Sequence, residues 1–283
     1  MPQLHPPSAK GKTVSSPIID PLTDQRDGAR ISRLALRGIR KRFGAVVALH
    51  GVDFHVDAGE VVALLGDNGA GKSTLTKIMS GVYRSDEGEF VFEGVPRDVT
   101  SPEDASALGI SAVYQDLALC ENLDVVENLF LGRELGPRNV PAPFRPIDRY
   151  TMEARAAEVL SGLAVRLPSL RRPVSMLSGG QRQAVAVSRA VLWGSKVVLL
   201  DEPTAALGVE QTAMVLNLVR QLRDRGLAVV LISHNLSDVF RVADRITVLR
   251  LGRCVANFNT SDVKRNDVVA AITGGNELEE IGS

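Results

Sequence analysis

The segment from Gly66 to Thr74 has the residue types and spacing of a loop that binds polyphosphate. An apolar run at 61–65 precedes it and a helical pattern follows it, which predicts strand, loop and helix in that order. Glycines let backbone N–H groups converge on a phosphate, and a helix N-terminus adds partial positive charge. We expect Lys72 to reach the β and γ phosphates and the Ser73 hydroxyl to ligate Mg²⁺. The residues predicted to bind nucleotide here are Gly66, Asp67, Asn68, Gly69, Ala70, Gly71, Lys72, Ser73 and Thr74.

Two later apolar runs, 197–200 and 227–232, are typical of strands buried on both faces of a parallel sheet. Polar residues follow both runs: Asp201 and Glu202 come after the first, and His234 after the second. Because the carboxyl ends of parallel strands meet at one sheet edge, these side chains would lie where ligands bind in open α/β sheets. An acidic pair at a strand end is also often merely solvated, and a lone histidine is often a structural hydrogen-bonding residue.

Strand patterns elsewhere alternate with helical ones, which predicts a layered α/β domain. Alternating apolar residues around Leu34 and Val52 indicate strands ahead of the loop. Phe90 and Phe92 predict a further, exposed strand that finishes near Val95.

The composition of the chain excludes several classes of protein. The chain has 283 residues, with 33 Lys plus Arg balanced by 33 Asp plus Glu, so no basic field favours nucleic acid. No run approaches the roughly 20 apolar residues of a membrane span, and the N-terminus lacks the apolar core of a signal peptide. Residues 1–30 are rich in Pro, Ser and charge, which predicts a disordered tail. We expect a soluble chain in the cytosol.

Together with the phosphate loop, four further motifs form a pattern that resembles the ATP-binding-cassette (ABC) ATPases. Leu177-Ser178-Gly179-Gly180-Gln181 is similar to their signature, and the strand ending in Asp201-Glu202 to their Walker B strand. Gln115 is similar to their Q-loop glutamine, and His234 to their switch histidine. The resemblance covers about residues 31–260. It implies a P-loop NTPase fold with a RecA-like parallel-sheet core, an antiparallel β subdomain and an α-helical signature subdomain.

The resemblance implies domain bounds and residue roles. The ATPase domain would span 31–275, with its helical subdomain at about 116–180 and a C-terminal tail at 276–283. Glu202 would be the general base, assisted by His234 and Gln115. Mg²⁺ would be held by Ser73, Gln115 and Asp201, and adenine would stack on Phe43. The residues expected to close over the γ-phosphate bound to a second copy are Ser178, Gly179, Gly180 and Gln181; a plain helix cap is the alternative for Ser178.

One departure from the family pattern lies after Glu202. After Glu202-Pro203-Thr204 the family usually continues Ser-Ala-Leu-Asp, whereas this chain has Ala-Ala-Leu-Gly at 205–208. The missing carboxylate belongs to the loop that couples two sites across the dimer, so Gly208 puts the efficiency of that coupling in doubt. The Ala-Ala-Leu-Gly form resembles some monosaccharide-importer ATPases.

Segments at 123–134 and 268–275 also resemble bacterial importers of ribose, xylose or fructose. The resemblance implies a homodimer on the cytoplasmic face of a bacterial membrane, powering monosaccharide import. Its partners would be separate permease subunits and, indirectly, an extracytoplasmic solute-binding protein, with no nucleic acid. Apolar residues could line the groove for the permease or pack in the core: Leu117, Leu119, Leu123, Val125 and Val126.

A soluble cassette ATPase of DNA repair or translation is the alternative function, as is a subunit for a non-sugar solute. Repair forms carry long coiled coils, and ribosomal forms carry tandem cassettes with a basic linker. Neither feature occurs here.

Overall fold

The computed structural model of the chain describes residues 32–137 and 146–275. The tails predicted at 1–30 and 276–283 lie outside the described residues. Within the described ranges, no helix combines the length and the apolar character needed to cross a membrane.

Strands and helices alternate along the chain. The strands are β1 (Ser32–Phe43), β2 (Val46–Asp57), β3 (Val61–Leu65), β4 (Glu87–Phe92), β5 (Val95–Arg97), β6 (Ile110–Val113), β7 (Val197–Asp201), β8 (Ala228–Ile232), β9 (Arg245–Arg250) and β10 (Arg253–Asn259). The helices are α1 (Lys72–Met79), α2 (Pro102–Leu108), α3 (Val125–Phe130), α4 (Arg149–Gly162), α5 (Gly179–Leu192), α6 (Val209–Asp224), α7 (Leu236–Val242) and α8 (Arg265–Thr273).

A six-stranded sheet in the order β10-β9-β3-β8-β7-β6 forms the centre of the molecule. All of its pairings are parallel except that of the edge strand β10 with β9. Alternate residues of β7 enter different cores: Val197 and Leu199 pack on one face of the sheet, and Val198 and Leu200 on the other. Both faces are therefore covered, as the continuous apolar runs predict, and the layered α/β domain is confirmed.

A four-stranded antiparallel sheet, in the order β2-β1-β4-β5, covers one face of the central sheet. Its strand β4 corrects one prediction. Phe90 and Phe92 are 8% and 3% exposed and pack into the core shared by the two sheets, so the strand is not an exposed one. It ends at Phe92, and Val95 begins the next strand. The second half of β4, Phe90-Val91-Phe92, is buried at every position, so alternation of the two aromatic residues did not show that both of its faces are covered.

Helices α3, α4 and α5 share a third apolar core, to which α5 contributes Val185. Val125 and Val126 are at most 1% exposed inside it, so of the two alternatives given for them, core packing is the one that the structure supports. The loop before α3 is held by the buried Asn128, whose side-chain amide bonds the backbone of Cys120 in both directions and also donates to the carbonyl oxygens of Leu123 and Asp124. One buried side-chain amide thereby provides hydrogen-bond partners for backbone groups of a loop that has no regular secondary structure.

Candidate functional site

The predicted phosphate loop lies between the end of β3 and the start of α1. Gly66 has φ 149°, and a Cβ there would lie 2.2 Å from the carbonyl oxygen of Leu249. Gly71, the N-cap of α1, has φ 103°, and a Cβ there would lie 2.7 Å from Leu49 Cδ2. No side chain caps α1, so its first N–H groups are left to an external acceptor. The close approach of neighbouring chain explains why both positions are glycine.

Lys72, the first residue of α1, lies across this loop. Its Nζ donates to the carbonyl oxygens of Gly66 at 2.8 Å and Asp67 at 2.9 Å. Burial lowers the pKa of the Lys72 ammonium, while Glu202, Asp67 and Asp201 act in the opposite direction. The ammonium thus sits between the loop and the carboxylates that follow β7.

The remaining loop residues differ in exposure. Asp67, Asn68 and Gly69 are exposed, and Ala70 is buried at 3%. The Asp67 carbonyl oxygen accepts from the N–H of Ala70 at 3.1 Å, which closes the loop. In the first turn of α1, Ser73 is exposed and Thr74 is half-buried.

The turn between β9 and β10 supports the phosphate loop from a distant part of the chain. The N–H of Gly252 donates to the Ala70 carbonyl oxygen at 3.1 Å, and the Gly252 carbonyl oxygen accepts from the N–H of His50 at 2.8 Å. Gly252 has φ 72°, and a Cβ there would lie 2.6 Å from the Ala48 carbonyl oxygen. The loop is therefore braced by a glycine that follows it by about 180 residues, which local sequence patterns did not identify.

We expect Gly252→Ala to weaken nucleotide binding and to lower the melting temperature. The added methyl meets backbone oxygen at a positive φ, which costs about 1–3 kcal/mol and moves the turn off Ala70. Thermal unfolding and nucleotide titration of the purified chain measure the two effects.

Gly194→Ala is the matched control, because Gly194 has φ 74° but no atom within 4 Å of its Cβ position. It should lower stability by backbone strain alone and leave nucleotide affinity unchanged. Equal loss of affinity in both variants would show that Gly252 has no local role at the loop.

Asp201 and Glu202 lie at the carboxyl edge of the central sheet. Asp201 pairs with Ile232 of β8, which pairs in turn with Leu64 of β3, so the three strands end together beside the phosphate loop. Burial raises the pKa of the Asp201 carboxyl, and the charge of Glu202 raises it further, against the lowering effect of Lys72. Two adjacent carboxylates, one of them partly desolvated, favour a cation at this edge.

Glu202 contacts His234 directly, with His234 Nδ1 2.9 Å from Glu202 Oε2. Glu202 has φ 50°, an uncommon conformation for a residue with a side chain, and its N–H donates to the Ile232 carbonyl oxygen at 2.9 Å. The His234 side chain is 77% exposed, against 19% for Glu202. A half-buried carboxylate is thus paired with an imidazole that faces outwards.

Gln115 and Phe43 flank this region. Gln115 is exposed and lies two residues beyond the end of β6, the edge strand beside β7. Phe43 ends β1 and is 42% exposed; its ring packs edge-on against Tyr83 with centroids 5.2 Å apart. Tyr83 in turn follows α1 and donates its N–H to the Lys77 carbonyl oxygen. An exposed ring anchored beside α1 is able to stack on a planar ligand.

Ser178 caps α5, with its Oγ accepting from the N–H of Gln181 and the Gln181 side chain accepting from the N–H of Ser178. Gly179 and Gly180 pack against the segment after Glu202: Cβ atoms there would lie 2.7 Å from Leu207 Cδ2 and 3.0 Å from Gln211 Cβ. Among the described residues, no hydrogen bond or ion pair joins 178–181 to Lys72, Asp201, Glu202 or His234.

Gly208, where the family usually has aspartate, is the N-cap of α6 and supplies no side-chain hydrogen bond. Its φ of −71° suits any residue, and nothing lies within 4 Å of its Cβ position. The structure would therefore accept an aspartate at this position, and steric crowding does not explain why glycine occupies it.

The residues fit a nucleoside triphosphate and a divalent cation. The cradle at Gly66 and Gly71 leaves no space for a Cβ, and α1 begins without a side-chain cap. The hydroxyl of Ser73 and the carboxylate of Asp201 are hard oxygen donors of the kind that Mg²⁺ prefers. Bound Mg²⁺ supplies charge neutralisation on the phosphates. Lys72 can bind phosphate oxygens, and Glu202 can orient and polarise a water molecule.

Comparison with known proteins identifies the family. Residues 49–205 match the ABC transporter family. A fructose import ATP-binding protein of Rhizobium meliloti is 48% identical over 246 residues, covering 86% of this chain and 95% of that protein. A xylose/arabinose import ATP-binding protein of Sulfolobus acidocaldarius is 45% identical over 240 residues, covering 85% and 93%. A ribose import ATP-binding protein of Rubrobacter xylanophilus is 44% identical over 241 residues, and the chain spans 47% of it.

Solved structures agree on the fold. A nucleotide-free ATP-binding cassette from an ABC transporter superposes with a TM-score of 0.74 at 27% identity, covering 85% of this chain and 98% of that one. The ADP conformation of an ABC transporter cassette gives a TM-score of 0.73, also at 27% identity, covering 89% and 99%. The predicted RecA-like core with its antiparallel and helical parts is confirmed. The chain belongs to the ABC transporter family and is one of its ATP-binding, ATP-hydrolysing cassettes.

Proposed function

We propose that this cassette powers the import of a monosaccharide through separate permease subunits at the cytoplasmic face of a cell membrane. The observation that carries the proposal is the likeness over nearly the whole length to two import ATP-binding proteins, one for fructose and one for xylose/arabinose. An extracytoplasmic solute-binding protein would deliver the sugar to the permease.

Two copies would share each ATP. The phosphates would lie on the loop from Gly66 to Thr74 with adenine on Phe43, and Mg²⁺ would be held by Ser73, Gln115 and Asp201. Among the described residues, no hydrogen bond or ion pair joins the α5 N-terminus to Asp201 or Glu202 of its own chain, which is compatible with completion of the site by a second copy. Ser178, Gly179, Gly180 and Gln181 of that copy would meet the γ-phosphate, in a head-to-tail, isologous dimer.

We propose that the permease binds in a cleft between the central sheet and helix α5. Its volume is about 450 Å³, and it is lined by α2, β6 and α5 and by the segment after α3. Of the described residues, Arg133 and Arg189 line it and no Asp or Glu does. Arg189 is half-buried and donates to the Ala118 carbonyl oxygen, and within the described part of the chain it forms no ion pair. This charge favours a permease segment that carries a carboxylate.

Reconstitution tests the proposal. The full chain is purified with the permease and binding protein that accompany it, placed in vesicles, and supplied with ATP and a panel of labelled monosaccharides. We expect ATP-dependent uptake of at least one monosaccharide, with hydrolysis stimulated by the loaded binding protein. A binding protein that takes only a non-sugar solute, or hydrolysis without any transport, would contradict the function.

Arg189→Gln provides an internal arm of that experiment. We expect it to reduce co-purification with the permease, because the half-buried charge at the cleft is lost. Arg155→Gln, at an exposed position of α4, is the control and should leave co-purification unchanged. Equal association in both variants would remove the cleft from the proposal while leaving the transport result intact.

A further inference from the structure

Asp238 in the first turn of α7 joins the two loops that carry Glu202 and His234. Its side chain is buried, at 4% exposed. One carboxylate oxygen, Oδ2, accepts from Thr204 Oγ1 at 2.9 Å and from Asn235 Nδ2 at 3.2 Å. The two donors come from different loops, so a single buried oxygen holds them at a fixed separation.

Each donor lies within two residues of a member of the proposed hydrolytic site. Thr204 follows Glu202 by two residues, and Asn235 directly follows His234. Asn235 is itself fixed: its N–H donates to Ser233 Oγ at 3.1 Å, and its Oδ1 accepts from the N–H of Ser237 at 3.0 Å. The backbone on both sides of the exposed imidazole is thus held, although the ring itself is free to contact Glu202.

The segment that Thr204 anchors is a strained one. Glu202 has φ 50° and Ala206 has φ 58°, so two residues with side chains adopt the left-handed region within one turn. Such conformations persist only when surrounding contacts hold them. The Thr204–Asp238 bond lies between the two strained residues, and the Glu202 N–H bond to the Ile232 carbonyl oxygen holds the start of the turn.

We propose that Asp238 is a positioning residue for ATP hydrolysis: through Thr204 and Asn235 it holds Glu202 and His234 in contact with each other. The inference rests on the hydrolytic roles proposed for those two residues. Asp238 is buried and accepts from Thr204 and Asn235, so its effect would be on the geometry of Glu202 and His234 rather than on the nucleotide directly.

Steady-state ATP hydrolysis by the full chain tests this role. Asp238→Ala removes the shared acceptor, and Thr204→Val removes one donor at nearly constant volume. Both should lower kcat about tenfold or more while KM for ATP stays within about twofold, because misplacing a reacting pair affects turnover rather than binding. Asp238→Asn should recover most of the rate, since its amide oxygen can accept both bonds. Ser237→Ala, exposed and adjacent, is the control.

A double-mutant cycle separates positioning from a general loss of stability. In the His234→Ala background, Asp238→Ala should lower kcat no further, because the contact that it supports is already gone. A fall in kcat of less than about threefold in Thr204→Val and Asp238→Ala, measured on folded protein at a temperature below unfolding, would overturn the proposal, as would fully multiplicative effects in the cycle.

The same set of variants distinguishes this failure from failure of the underlying roles. If Glu202→Gln and His234→Ala are impaired but Asp238→Ala and Thr204→Val are not, only the positioning role is wrong. If Glu202→Gln and His234→Ala hydrolyse ATP at the normal rate, the roles proposed for that pair are wrong and the positioning role falls with them.

Discussion

Glu202→Gln should bind ATP with near-normal affinity and hydrolyse it at least about a hundredfold more slowly, because general-base assistance contributes 10²–10⁴ to a rate. The substitution keeps the shape of the side chain and the φ of 50° while it removes the charge that can polarise water. Without hydrolysis to reopen the site, the variant should accumulate as an ATP-bound dimer. The measurement is single-turnover hydrolysis alongside equilibrium binding.

Glu210→Gln is the matched control for this change. Glu210 lies exposed in the first turn of α6, eight residues further along the chain, and should tolerate loss of its charge with an unchanged rate. If Glu202→Gln turned over ATP at the rate of Glu210→Gln, the assignment of the base would be wrong.

Lys72→Ala should weaken ATP binding by about ten- to a hundredfold and abolish turnover. The Lys72 ammonium donates to the Gly66 and Asp67 carbonyl oxygens in this structure, and it would donate to phosphate oxygens when ATP binds. Charge-assisted hydrogen bonds of this kind contribute about 1.5–3 kcal/mol. Titration with ATP and with adenosine separates the effect. Affinity for adenosine should not change, since it has no phosphate.

Lys196→Ala controls for the loss of a lysine away from the loop, where its Nζ pairs with Glu93 at 2.9 Å. Unchanged ATP affinity in Lys72→Ala would contradict the predicted phosphate loop itself rather than the later steps of hydrolysis.

Much of the central sheet is predictable from the sequence because its cause is local. The runs at 61–65 and 197–200 are short and apolar at every position, and a strand covered on both faces buries all of them. The loop and the helix that follow β3 are likewise predictable, because local sequence determines their order. The burial of a strand that is predicted from alternating residues is harder to infer, as Phe90 and Phe92 demonstrate. Alternation predicts that the strand has two faces, but it does not say which face is covered or what covers it.

The parts of the site that sequence patterns missed depend on contacts between distant segments. The carbonyl oxygen of Leu249 and the N–H of Gly252 shape the phosphate loop, although no motif surrounds them. Glu202, in the left-handed conformation, donates its N–H to the Ile232 carbonyl oxygen, and the buried Asp238 meets Thr204 only in the folded chain. Backbone groups carry no sequence signal, so contacts of this kind emerge only from the fold.

In the proposed dimer, one chain would supply half of each ATP site and a second copy would supply the rest. The most direct measurement is the mass of the Glu202→Gln chain in solution, with and without ATP, compared with the same chain carrying Ser178→Arg as well. We predict an ATP-dependent dimer for the first chain. The second should stay monomeric while still binding ATP, because a large cation at the α5 N-terminus blocks closure. A dimer that forms equally well with Ser178→Arg, or an ATP-bound monomer in both cases, would contradict the account.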